Sequence, residues 1–289
     1  MKGDRMGIRF GPAGNSDAFV QEGYKHTFQA PKWISDKGLD AFEYSFGRGV
    51  KLKEETGEKI AQEAQKYDVQ ISAHAPYFIN LANDDEDKFE KNLSYFRETS
   101  VAARYLHAKR VVFHPGSCAK MDRNLAFENV KRNLSKIIRI LKDDGFGDLL
   151  YCAETMGKMN QIGTLEEICE LAGLADNLYP AIDFGHLNAR TLGKVATSQD
   201  YEAILDTMQN TIGTEKTKNM HVHFSHIQYT TMGEKMHLTF EDTQYGPFFE
   251  PFAPILVKRN ATPVIICESK GTQAQDAAYM KKLYEEAKK

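Results

Sequence analysis

Short apolar runs and longer amphipathic stretches alternate along the chain. The runs Ile8 to Gly11, Ala41 to Ser45, Val69 to Ala73, Arg110 to Phe113, Leu149 to Ala153, Tyr179 to Ile182, Met220 to Phe224 and Pro263 to Cys267 have the length and content of β-strands. Between them, apolar residues recur at helical spacing. Lys53 to Tyr67 places Ile60, Ala64 and Tyr67 on one side, and Arg123 to Lys142 does the same with Val130, Leu134, Ile137, Ile138 and Leu141. Further helices are predicted over Ala30 to Lys37, Asp84 to Leu106, Ser198 to Ile212, Pro247 to Lys258 and Ala274 to Ala287, and one starts at the capping-box pattern Thr164-Leu165-Glu166-Glu167. Eight strand–helix units predict an α/β fold, a (β/α)8 TIM barrel occupying residues 1–289 as a single domain.

Where the strands stop matters more than the strands themselves. Strands three to eight each run into a metal-capable residue or contain one: His74, His114, Glu154, Asp183, the pair His221 and His223, and Glu268. In this fold the strand tips of one rim share one location, so residues far apart in sequence converge there. Asp183 is followed three residues on by His186. His221-Val222-His223 alternates, which puts both rings on one side of their strand. Gly233-Glu234-Lys235-Met236-His237 adds a carboxylate and an imidazole in the following loop. Imidazole plus carboxylate without thiolate suits zinc, manganese, iron or cobalt rather than calcium. About nine donors exceed the needs of one ion. Carboxylates shared between ions would use them all, as in the metal clusters of phosphoryl chemistry.

Composition narrows the picture. Hydrophobic residues make up 42% and charged residues 27%, with a net charge of −3, so nothing marks a disordered or strongly basic chain. That balance argues against strong nonspecific nucleic-acid binding and leaves room for a local basic rim. Cys118, Cys152, Cys169 and Cys267 form no CxxC pair and read as reduced residues of a reducing compartment. No secretory leader stands at Met1 to Arg5 and no apolar run approaches membrane-spanning length, so a cytoplasmic protein without membrane partners is expected.

From the third strand to the eighth, the chain resembles endonuclease IV, the family 2 apurinic/apyrimidinic endonucleases of the xylose isomerase-like TIM-barrel superfamily. The resemblance rests on His74-Ala75-Pro76-Tyr77-Phe78-Ile79-Asn80-Leu81, Phe113-His114-Pro115-Gly116-Ser117, Ala153-Glu154-Thr155, Asp183-x-x-His186 and Cys267-Glu268. It implies three zinc ions, with manganese as the alternative. His74, His114 and Glu154 would hold one. Glu154 would bridge to a second, held also by Asp183, His223 and Glu268. His186, His237 and a nearby carboxylate would hold the third. His223 is preferred to His221 because His223-Phe224-Ser225 fits the family register better. The family reads Asp-x-His where this chain has Glu234-Lys235-Met236-His237. Either Glu234 takes the aspartate's place with one residue of slippage, or the third site is altered.

The resemblance further implies a monomer that hydrolyses the phosphodiester 5′ to abasic sites in double-stranded DNA, with Glu268 and the bridging Glu154 as the catalytic carboxylates. Tyr77, and Arg48 in the loop after the second strand, are the implied DNA contacts. The competing reading is a sugar isomerase or epimerase of the same superfamily. The trio Glu154, Asp183 and Glu268 would suit it, whereas such enzymes do not generally carry the His74 and His114 pair. His26 and His107 lie off the expected rim and read as surface or packing residues. His226 reads as packing or as support for a ligand, and Phe248, Phe249 and Phe252 read as helix core.

Overall fold

The computed structural model describes residues 7–289, so the segment Met1 to Arg5 lies outside the described residues. Eight parallel strands form one sheet: β1 (Arg9–Pro12), β2 (Ala41–Ser45), β3 (Gln70–His74), β4 (Arg110–Phe113), β6 (Leu150–Glu154), β8 (Leu178–Asp183), β9 (His221–Phe224) and β12 (Val264–Cys267). Their order is β1-β12-β9-β8-β6-β4-β3-β2. The two end strands meet and nearly close the barrel. Asp40 N–H donates to Phe10 O at 3.0 Å and Gly14 N–H to Glu43 O at 2.9 Å. Gly11 makes this approach feasible, since a Cβ there would stand 1.7 Å from Ala41 O.

The period of two along each strand sorts the side chains into two layers. The outward set, including Phe10, Phe42, Val111, Phe113, Tyr151, Ile182, Val222 and Phe224, packs into one large core with the helices. These helices are α1 (Asp17–Gln21), α2 (Ala30–Asp36), α3 (Glu54–Tyr67), α4 (Glu86–Tyr105), α5 (Arg123–Leu141), α6 (Leu165–Ala172), α7 (Phe184–Arg190), α8 (Ser198–Lys218), α9 (Ala253–Lys258) and α10 (Gln273–Ala287). The inward set has only small apolar clusters, Ala41 with Val264 and Ile266, and Val112 with Cys152 and Ala181. The remaining inward positions are polar, and they build the site.

Sequence periodicity places the barrel elements within a few residues. It misses the short ones. Antiparallel β5 (Gly116–Ser117) and β7 (Gln161–Ile162) pair with each other, as do β10 (Ile227–Thr230) and β11 (Gly233–His237). Helix α7 starts directly at the end of β8, where the sequence pattern shows no helix. Pro247 to Lys258 is not one helix: residues 247–249 are irregular, 250–252 form a turn and only α9 is helical, with Phe249 and Phe252 buried in the core. Among the described residues no helix is long and apolar enough to cross a membrane.

Candidate metal centre

The expected donors converge at the C-terminal end of the barrel. His74, Glu154, Asp183 and His223 occupy inward strand positions, and His114 and Glu268 follow one residue past their strands. Glu154 sits in the middle. Its Oε2 lies 3.1 Å from His74 Nε2 and 3.1 Å from His114 Nε2, and its Oε1 lies 3.1 Å from His223 Nδ1. Three donor groups match the expected sets: His74, His114 and Glu154; Glu154, Asp183, His223 and Glu268; and His186, Glu234 and His237; a fourth, deeper grouping joins Glu43 to His74 and His223.

Local structure fixes how each donor points. The Asp183-x-x-His186 spacing is a helix cap: Asp183 Oδ1 accepts from the His186 backbone N–H at 2.7 Å and opens α7. Its Oδ2 is buried and has no hydrogen-bond partner. The same cap carries the His186 ring to the third group, where Nε2 lies 3.4 Å from Glu234 Oε2 while Nδ1 sits 2.9 Å from Thr155 O. His74 Nδ1 sits 2.8 Å from Ala75 O, and His237 Nδ1 sits 2.8 Å from Ser225 Oγ. Proton donation from these nitrogens leaves each opposite nitrogen with a lone pair for a ligand. The two motifs His74 to Leu81 and Phe113 to Ser117 are one unit. Leu81 N–H donates to Pro115 O at 2.9 Å, and Asn80 Oδ1 accepts from Ser117 N–H at 3.1 Å.

The third group depends on a β-bulge. In a regular strand Glu234 and His237, three residues apart, would point to opposite faces. Here Tyr229 pairs with Glu234, Gln228 with Met236 and Ile227 with His237, so Lys235 is an extra residue. The parity shifts by one, and Glu234 and His237 share the face that packs on α7. Gly157 leaves room for them: a Cβ there would stand 2.6 Å from Glu234 Cβ and 2.9 Å from His186 Cδ2. The slippage seen in the sequence is therefore absorbed by the hairpin, and the structure brings Glu234 to His186 and His237.

The carboxylates and imidazoles of the site shift one another's charge. Burial pushes Asp183 up to about 6, and neighbouring Glu268 and Glu154 add to it while His186 opposes. Burial also pushes Glu154 up, but His223 and His114 outweigh it and hold the group well below the usual carboxylate range. A largely buried carboxylate trio with a free Oδ2, facing imidazole nitrogens, fits divalent metal ions. Without metal, protonated His74, His186 and His223 offset these carboxylates, and divalent ions would take over that role.

One contributor went unread in the sequence. Glu43, in the middle of β2, is fully buried under the second group. Its Oε2 accepts from Ser72 Oγ at 2.8 Å and contacts His221 Nε2 at 2.9 Å, and its Oε1 lies 2.9 Å from His223 Nε2. His221 is thus one layer below the donors, paired with Glu43 and outside all three groups. The available signal was an acid at the inward parity of a strand, level with Ser72 on β3.

The implied DNA contacts lie on the rim. Tyr77 is half exposed and packs against exposed Phe78, with ring centroids 4.5 Å apart. The exposed Arg48 belongs to the loop after β2, and the neighbouring Gly47 lies against the Tyr77 ring. His226 stacks on Phe240 at 4.5 Å, with Nδ1 2.9 Å from Asp242 O, so it packs away from the donors. His26 and His107 are on the surface.

Residues 31–286 match the family described as xylose isomerase-like TIM barrel. The chain belongs to that family. An uncharacterized protein of Methanocaldococcus jannaschii is 31% identical over 259 residues, covering 90% of this chain and 92% of its own length. A probable endonuclease 4 of Staphylococcus carnosus is 28% identical over 159 residues, 54% of this chain and 52% of that protein, so that match spans about half of each. Among solved structures of this TIM-barrel family's fold, endonuclease IV from Thermus thermophilus superposes with a TM-score of 0.69 at 20% identity, covering 96% of this chain and 98% of that one. A D-tagatose 3-epimerase-like protein reaches 0.70 at 21% identity, covering 97% of each. Both nuclease and epimerase relatives thus share the barrel, and the side chains at its mouth must decide between them.

Proposed function

We propose that this protein is a metal-dependent phosphodiesterase that hydrolyses double-stranded DNA on the 5′ side of abasic sites, acting as a monomer with three divalent ions, zinc or manganese. The observation that carries this reading is the continuity of the donors: three groups, two of them joined through Glu154, and the third completed by the bulged hairpin. A single-metal isomerase has no use for His74, His114, Glu234 and His237 together.

The rim supports a polyanionic substrate. Arg48, Lys120, Lys158, Lys194, Lys235 and Lys270 come from six different rim segments, and all are exposed. They stand outside the ion pairs that hold other lysines, such as Lys32 with Asp36 and Lys281 with Asp40. Such a ring attracts a phosphate backbone and does little for a neutral sugar. Exposed acids share the rim, among them the turn Asp84 to Asp87 opening α4, Glu54 and Glu55 opening α3, and Glu241 and Glu250, and these mark the sides that a DNA strand would avoid.

Divalent cations at the three groups would supply Lewis-acid activation of a water and neutralise charge on the phosphodiester. The chain's own residues do the rest. His74, His114, His186, His223 and His237 would offer neutral nitrogens, and Asp183 and Glu234 would complete the donor sets. Glu154 would bridge the first two groups. Glu268 is the most accessible of the central carboxylates, at 20% side-chain exposure, and would accept the proton of the attacking water. Tyr77 and Arg48 would hold the duplex beside the centre.

The second reading is epimerisation or isomerisation of a sugar, favoured by the compact Glu154, Asp183, His223 and Glu268 group taken alone. The variant Glu268→Gln separates the two roles of the site. Incision of an abasic duplex should fall by ~10²–10⁴-fold while duplex binding persists. A wild-type rate would remove Glu268 from the mechanism.

A further inference from the structure

We infer that Glu43 is a positioning residue that dictates which nitrogen of His223 faces the metal. The ring lies between two sets of carboxylates. Nδ1 is 3.1 Å from Glu154 Oε1 and 3.5 Å from Glu268 Oε1, on the donor side. Nε2 is 2.9 Å from Glu43 Oε1, on the barrel side. An imidazole that gives a lone pair from one nitrogen carries its proton on the other, and that N–H needs an acceptor. His223 and Glu43 are both fully buried, and Glu43 is the acceptor on that side. Glu43 Oε1 and His223 Nε2 approach to 2.9 Å without hydrogen-bond geometry, and neither atom has a hydrogen-bond partner elsewhere.

Glu43 is itself held from two directions. Ser72 on β3 and His221 on β9 both engage its Oε2, which leaves Oε1 for His223. The unit Ser72–Glu43–His221 therefore forms a floor beneath the second donor group. It explains why His221 lies so near the site without joining it, and why an acid occupies the barrel interior beside the small residues of β4 and β6. A glutamine at position 43 would offer one acceptor oxygen where the carboxylate offers two. At least one of the three groups around it would lose its bond.

This inference rests on the reading of His223 as a metal ligand. The test is zinc affinity by chelator competition, with ion counts and melting temperatures, for wild type, Glu43→Gln and Ser72→Ala. Glu43→Gln should weaken one ion of the set by ~10–100-fold. The metal-free variant should melt lower than metal-free wild type, because the charge that balances protonated His223 has been removed, so the zinc affinity is the deciding readout. Unchanged zinc affinity, with or without a lower metal-free melting temperature, would make Glu43 purely structural and overturn the inference. Should Glu43→Gln not fold, Ser72→Ala decides: a several-fold weakening supports the inference and unchanged affinity overturns it. Wild-type protein that holds no zinc would overturn the ligand reading as well, so the two failures are distinguishable.

Discussion

At the scale of single residues, the site is a contest between burial and charge. Against the downward pull of burial, contact with Glu154 raises His74 to about 9, and His186 and His223 are raised well above their usual value by their carboxylate neighbours. Asp183 is held at about 6. Without metal the three histidines therefore carry protons at neutral pH that a metal must displace, and Asp183 has largely lost its own. Each displaced proton makes affinity rise with pH, so zinc binding should strengthen from about pH 6, where Asp183 ionises, through about pH 9, where His74 does, with His186 and His223 adding to the rise. Chelator competition across that range checks the sign, and an affinity that is flat or falls with pH contradicts it. The residues that end strands were legible in the sequence because an apolar run makes its last polar residue conspicuous. Glu43 was not, because a mid-strand acid looks like a surface residue until the barrel's inward parity is known. Asn80 and Thr155 stand in the quoted motifs, but their supporting roles are not legible there because their hydrogen bonds reach other segments.

At the scale of elements, the βα units follow from periodicity, and the capping box at Thr164 is present as written, with its side chain accepting from Glu167 N–H at 3.2 Å. Short pieces leave no such trace. Helix α7 has seven residues and is buried almost throughout, so it shows no amphipathic stripe. The β10–β11 hairpin was hidden by its bulge, which breaks the alternation that would reveal a strand. The bulge carries a direct prediction. Deleting Lys235 leaves Glu234 and His237 two residues apart on a regular strand, still on one face, and the full ion count should persist. Inserting one residue after Lys235 leaves Glu234 and His237 four residues apart, which on a regular strand carries His237 about 7 Å further along and should cost one ion. Metal analysis after dialysis reads both. A deletion that loses an ion while the insertion keeps it would refute the role given to the bulge.

At the scale of the molecule, the barrel places six strand ends and the hairpin around one opening. This is why donors spread from His74 to Glu268 act together. It is also why basic residues that look scattered in a sequence of net charge −3 become a ring once the rim is known. Solved structures named as a nuclease and as an epimerase-like protein share this fold, and the proposed reading toward DNA rests on the donors and the exposed basic residues of the rim. The most direct measurement is incision of a duplex oligonucleotide carrying one abasic-site analogue by zinc- or manganese-loaded protein, with a chelated control and an ion count on the same sample. The account predicts about three ions per chain and a cut 5′ to the lesion that chelation abolishes. A protein that keeps its ions and leaves the duplex intact would contradict it.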